Sequence, residues 1–268
     1  MRKRVYIALV IVLVALVSVM VWQGLREREP VYQGKSLRVW LREYALGENT
    51  GTSKMAEDAV RHIGTNAIPT LLEMLVAKDS KLKDLWDRHI PKLQFLPSWV
   101  RYPHWHNYDA RTVNIEAHLG FKILGADAKQ AVPALMKFYE RNISPSSQRA
   151  AGRSLTAIGP AARIAIPVFV QGAASSNESV RRNAVEALFE IHAEPRLVVP
   201  AFVKCLSDTN FSVRMLAVMG LAGFGTNAQA AVPALVSMLR APEELLRINA
   251  TNALKCIDPE AAVKAGMK

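Results

Sequence analysis

Cysteine is nearly absent from this 268-residue chain, which carries only Cys205 and Cys256. Two thiols without metal-ligand spacing exclude a disulfide-stapled scaffold and a zinc ribbon. Both fall inside apolar helical patterns, so the expectation is two small buried core residues. Aromatic residues are also scarce, at 7% of the chain. The apolar half is mainly Ala, Leu, Val and Ile, which suits closely stacked helices more than a β-sandwich. No alternating strand pattern stands out. The net charge is +11, yet no run of Lys and Arg resembles a nucleic-acid arm, and the charge is spread over helix surfaces.

Catalytic signatures are missing as well. There is no Ser-His-Asp arrangement with a local signature, no phosphate-binding glycine loop and no His-Glu-x-x-His. Gly220-Leu221-Ala222-Gly223-Phe224-Gly225 is phased as a helix and its cap. Glu186, Glu190 and Glu194 follow the i+4 spacing of a solvated helix face rather than forming a carboxylate pair. His62, His118 and His192 lie in or beside helical patterns, as structural histidines do. The chain is therefore not expected to be an enzyme, and no catalytic residue, cofactor or metal ligand is assigned.

One long hydrophobic run is present. Val5 to Trp22 is uncharged and follows Arg2-Lys3-Arg4; as a helix it would be about 27 Å long, close to the bilayer hydrocarbon thickness. The small-x-small cleavage site of a secretory signal is poor here, and Trp22 fits an aromatic belt. Residues 1–25 read as an uncleaved signal-anchor, with a cleaved signal and an exported soluble product as the alternative. The N-terminal basic cluster places the remainder outside the cytoplasm, in a periplasm-like compartment. Arg26, Arg28, Lys35, Arg38 and Arg42 on the other flank count against that orientation. Residues 26–35, containing Pro30, read as a linker.

Everything after it repeats. Ala131-Val132-Pro133-Ala134-Leu135 returns as Ala231-Val232-Pro233-Ala234-Leu235, and Pro133, Pro167, Pro200 and Pro233 are spaced 34, 33 and 33 residues apart. That period defines stacked supersecondary units. Behind each proline runs an amphipathic helix with apolar residues at i, i+4, i+8 and i+11. Examples are Val213, Ala217, Leu221 and Phe224, then Leu246, Ala250, Leu254 and Ile257, and the pattern occurs six times from Thr52 onward. The prolines are expected in the first turn of a helix, where a missing N–H is harmless. Gly64, Gly125, Gly159 and Gly225 are expected to be left-handed C-terminal caps. The fold class is all-α: an α-solenoid of about six antiparallel helix pairs over 36–260, after the single N-terminal helix, with a tail at 261–268.

The layout Pro200-Ala201-Phe202, Leu206-Ser207-Asp208, Ser212-Val213-Arg214 and Ala217 through Gly225 resembles the bacterial HEAT-like repeats, including the phycobilisome-lyase type. The resemblance implies the solenoid and a structural role for the arginines that recur at Arg181, Arg214 and Arg247, each bonding turn carbonyls or an acid such as Asp208. It also resembles exported, membrane-anchored HEAT-repeat proteins. The function that follows is a membrane-tethered scaffold binding protein partners along its concave face. Lyase-like or DNA-glycosylase-like chemistry, known on this fold, is the alternative, and the apolar anchor argues against nucleic acid.

One interval breaks the period. Pro69 to Pro133 is 64 residues, and the excess falls at 79–111. This insertion holds Trp86, Trp99 and Trp105, Tyr102 and Tyr108, and His89, His104 and His106. Insertions in solenoids project as loops and often bind. Trp86, Trp99, Tyr102, His104, Trp105, His106 and Tyr108 are therefore the candidate interaction surface, for a protein, a glycan or another envelope component. Metal binding at His104 and His106 lacks further ligands at a recognised spacing. The plainer reading has Trp86, Phe95, Leu96 and Trp99 folding back as a satellite cluster over the array.

Overall fold

The structure, a computed structural model, describes residues 29–47, 51–79, 85–86, 88–95, 97–98 and 109–266. The expected signal-anchor lies outside these residues. The described chain opens with a hairpin, β1 (Val31–Tyr32) and β2 (Lys35–Ser36), antiparallel with Val31 opposite Ser36. Six helix pairs follow: α1 (Leu37–Leu46) with α2 (Gly51–Ile63), α3 (Ile68–Leu75) with α4 (Ala110–Leu124), and α5 (Val132–Arg141) with α6 (Pro145–Ile158). Then come α7 (Ile166–Ala173) with α8 (Glu178–Ile191), α9 (Pro195–Cys205) with α10 (Phe211–Phe224), and α11 (Val232–Met238) with α12 (Glu244–Ile257). A short α13 (Pro259–Lys264) closes the array.

The hairpin occupies part of the expected linker. Gln33 and Gly34 both have positive φ, 48° and 76°, the requirement of a type I′ two-residue turn. The Trp40 indole donates to the Tyr32 carbonyl at 3.1 Å, and Leu37 N–H donates to Pro30 at 2.9 Å. The hairpin is thus fastened to α1. Strands of two residues are too short to show alternation, so the period that reveals helices is silent here.

Each second helix packs on the next, from α4 through α12. The contact is made by Ala117, Ala151, Ala184, Ala217 and Ala250, all fully buried, with Ala56 at the matching position of α2. Small residues let the helix axes approach. The same logic explains Gly220 inside α10: a Cβ there would sit 2.3 Å from the Phe202 ring. Of the expected apolar faces, Thr52 is exposed and Val180 and Ile191 are half-buried. Among the first helices, Val236 stands 38% exposed.

The connections differ from expectation in an instructive way. Gly125, Gly159 and Gly225 have φ of 53°, 76° and 52° with ψ of −129°, −138° and −134°. That is not the left-handed helical cap but the region beyond it that only glycine enters without strain. A 3₁₀ segment follows each of them directly, at Gly125–Ala131, Gly159–Ala165 and Gly225–Ala231. Pro69, Pro133, Pro167 and Pro233 then fall in the first turn of an α-helix.

Between the fourth and fifth pairs no glycine is available. His192 and Glu194 adopt the left-handed conformation instead, and α9 starts at once with Pro195 in its first turn. Pro200 therefore lies within α9 rather than at its start. Glu194 leaves the expected helix face for this connection and pairs with Arg163. Cysteine departs from expectation too: Cys205 is buried, whereas Cys256 is exposed on α12.

Candidate interaction face

The arginine ladder belongs to a longer series of donors. Counting three residues back from the packed alanine of the second helices α4 to α12 gives Asn114, Gln148, Arg181, Arg214 and Arg247. Every one of them donates to carbonyls that close the preceding first helix or its turn. Asn114 reaches Met74 and Leu75 at 2.9 and 3.1 Å, and Gln148 reaches Tyr139 at 3.2 Å. Arg181 reaches Ser175 and Ser176, both at 3.0 Å, and Arg214 reaches Asp208 and Thr209 at 2.7 and 3.0 Å. Arg247 reaches Ala241 and Pro242, both at 2.8 Å. The last carbonyls of a helix lack intrahelical partners, so the position answers a need that recurs in every unit.

Two of the arginines add a lateral bond. Arg181 forms a two-point pair with the Asp208 carboxylate of the next unit, at 2.6 and 3.1 Å, and Arg214 pairs with Glu243 of the unit after that. The Arg181 hydrogen bond holds the Asp208 carboxyl below its ordinary value, aided by the Asn210 N–H. These guanidiniums are occupied in holding units together.

The insertion is described only in part. Asp79 accepts from the Ala110 N–H at 2.9 Å, and Asp109 caps α4 by accepting from Thr112 N–H at 2.6 Å. The two ends of the insertion are therefore held side by side. Trp86 is half-buried, whereas Phe95 is 80% exposed. Phe95 thus does not join the expected satellite cluster. Trp99, Tyr102, His104, Trp105, His106 and Tyr108 lie outside the described residues.

The outward side of the second-helix layer was not singled out in the sequence, and it is where unused side chains gather. From α4 to α12 it presents Ile115, then Arg149 and Arg153, then Arg182, then Met219, then Ile248. Ile115, Met219 and Ile248 are between 41% and 49% exposed, and no described helix covers them. In the middle, Arg153 pairs with Glu186 at 2.8 Å. Burial, and then the like charges of Arg182, Arg153 and Arg111, hold the Arg149 guanidinium below its ordinary pKa. Beside them His118 is driven down to about 4, first by burial and then by Arg153 and Lys122. Asn183 is buried at the base of a small cleft between α6 and α8, and neither its amide nitrogen nor its oxygen has a hydrogen-bond partner. The helical register could have found this face, since Arg149 and Arg182 both stand two residues before the packed alanine. An apolar-face search passes over it.

Two further depressions are present. An open one of about 880 Å³ lies at the N-terminal end by Tyr32, His62 and Gln130. Another of about 290 Å³ lies between α7 and α9 beside Pro200 and Cys205. Among the described residues no three His, Cys, Asp or Glu side chains come together as a metal site would require.

Comparison with known proteins agrees with the helix-pair architecture. Residues 199–265, which span the last two pairs and α13, match the family described as HEAT repeats. Residues 199–265 are thus similar to HEAT repeats, within an array of helix pairs. No curated protein matches the chain. Among solved structures, an engineered protein is similar at 21% identity and a TM-score of 0.47, over 86% of this chain and 98% of that one. A designed armadillo repeat protein in complex with the peptide (KR)4 is similar at 16% identity and a TM-score of 0.47, over 84% of this chain and 100% of that one.

Proposed function

We propose that this chain is a non-enzymatic scaffold of bacterial type, tethered to a membrane by residues 1–25, whose second-helix face engages a protein partner. The observation that carries the reading is the row of exposed large side chains, Ile115, Met219 and Ile248, along one continuous layer. Stacking does not use them, and exposed apolar side chains flanking an arginine cluster along one layer form an amphipathic face suited to a protein partner. The donors at Arg181, Arg214 and Arg247 are already bonded within the array, which leaves the outward face for recognition. A photo-crosslinking residue at Met219 is expected to yield a discrete adduct in intact cells, whereas the same residue at Val236 on the first-helix side yields none. Equal crosslinking at both positions, or none at either, sinks the reading.

The tether and its direction rest on the apolar run Val5–Trp22 after Arg2-Lys3-Arg4. Export places the array outside the cytoplasm. Cys256 is exposed while Cys205 is buried, so an impermeant maleimide on intact cells with a permeabilised outer envelope reads orientation directly. Labelling at Cys256 is expected; protection until the inner membrane is lysed would reverse the topology.

A further inference from the structure

The middle of the second-helix face has a chemistry of its own. The 33-residue register sets Arg149 of α6 and Arg182 of α8 at equivalent positions, side by side on adjacent packed helices. Among the described residues neither is ion-paired, while Glu186 on the same face is tied to Arg153. Guanidiniums gathered in this way repel one another unless something anionic joins them.

A second observation points to the same place independently. Asn183 is 5% exposed and lies in the cleft bounded by Arg149, Arg153, Thr156 and Glu190. Both polar ends of its side chain are unpartnered. A buried amide without a partner costs about 1–3 kcal/mol, and the space of about 10 Å³ beside Asn183 has room for one bridging water between it and a group bound at the arginines.

We propose that this cluster is the binding site for an acidic segment of a partner protein, with Arg149 and Arg182 pairing its carboxylates and a water in the cleft linking it to Asn183. The proposal rests on the second-helix face being the interaction surface and names the chemistry recognised there. The flanks fit a peptide: Ile115 lies one helix away on one side and Met219 on the other, both exposed. An acidic centre with apolar residues on either side matches that order. Nucleic acid matches it poorly, because a uniformly charged backbone would cross Glu186, Glu190 and Met219 as well as the arginines.

The test uses the purified full chain and three fluorescent probes: a peptide with Asp and Glu flanked by Leu, its Asn and Gln counterpart, and a DNA duplex. The acidic peptide is expected to bind, with affinity falling as salt rises, and the neutral counterpart to bind at least tenfold more weakly. Arg149→Gln with Arg182→Gln is expected to remove that preference. Asn183→Leu fills the same volume without the orphaned amide, so it is expected to raise the melting temperature while weakening the peptide severalfold. Equal binding of acidic and neutral peptides, tighter binding of DNA at physiological ionic strength, or an unchanged preference in the double variant overturns the proposal. Should the native chain show no acidic preference while the Met219 crosslink to the cellular partner survives in the double variant, the acidic segment falls and the scaffold reading stands. Loss of that crosslink in the double variant supports both.

Discussion

Asp208 joins two consecutive units through its side chain and ties its own unit's second helix through its carbonyl. Its carboxylate takes the Arg181 guanidinium and the Asn210 N–H, and its carbonyl takes Arg214. Asp208→Asn keeps the shape but leaves Arg181 without its counter-charge, and is expected to cost about 2 kcal/mol in urea denaturation at neutral pH. Because the folded carboxyl lies below its ordinary value, the stabilisation is present above the unfolded pKa of about 4. It is lost as pH falls through the lower folded value. The gap between the native chain and the variant should therefore narrow as pH falls below about 4. His118 has the same sign for another reason. Burial lowers it to about 4, so the neutral ring contributes stability above about pH 6.5 that is lost as pH falls toward 4. His118→Leu is expected to flatten the stability profile across that interval. The arginines of the ladder were legible in the sequence because one residue type recurs at one spacing. Asn114 does the same job without looking like arginine, and only the shared carbonyl acceptors reveal it.

The helices were legible for a physical reason. Each buries an apolar stripe on two neighbours, so its period is written in the residues that cannot be polar. Connections carry no such stripe, and the observed turn at Gly225, with positive φ and ψ of −134°, is distinguished from an ordinary cap only by backbone angles. Gly225→Ala is expected to destabilise the chain by about 1–3 kcal/mol, because a Cβ strains that backbone. Its signature would be a lowered melting temperature with an unchanged helical circular-dichroism signal. Gly220→Ala should act differently, through overpacking against Phe202. Pairing it with Phe202→Leu is expected to recover part of the loss, as non-additive stabilities in a double-mutant cycle would record. The His192–Glu194 connection could not be anticipated, since Pro200 keeps the 33-residue beat although α9 has grown backward past it.

An array of this kind is held by nearest neighbours, so its ends behave unlike its middle. The C-terminal end is closed by α13, where Ala262 is buried and Asp258 accepts from Ala261 N–H at 2.9 Å and from the Gln229 amide at 2.6 Å. Ending the chain at Asp258 uncovers one side of α12. Hydrogen exchange is then expected to quicken in α11 and α12 while α5 to α8 keep their protection; a uniform rise across all helices would show that the units do not unfold separately. The candidate interaction face was less legible than the fold. The tryptophan-rich insertion attracted notice by composition, whereas the arginine cluster uses ordinary residues that acquire meaning only when α6 and α8 are set side by side.

The bond from Ala110 N–H to Asp79 has a bearing on how such a chain changes over generations. It fastens the mouth of the insertion, so the two ends leave the array from one place. Doubling the length of a flexible loop adds only about 0.6 kcal/mol of closure entropy. A lineage can therefore trade one insertion for another without renegotiating the stack, and an engineer can do the same with an epitope tag or a small fluorescent domain.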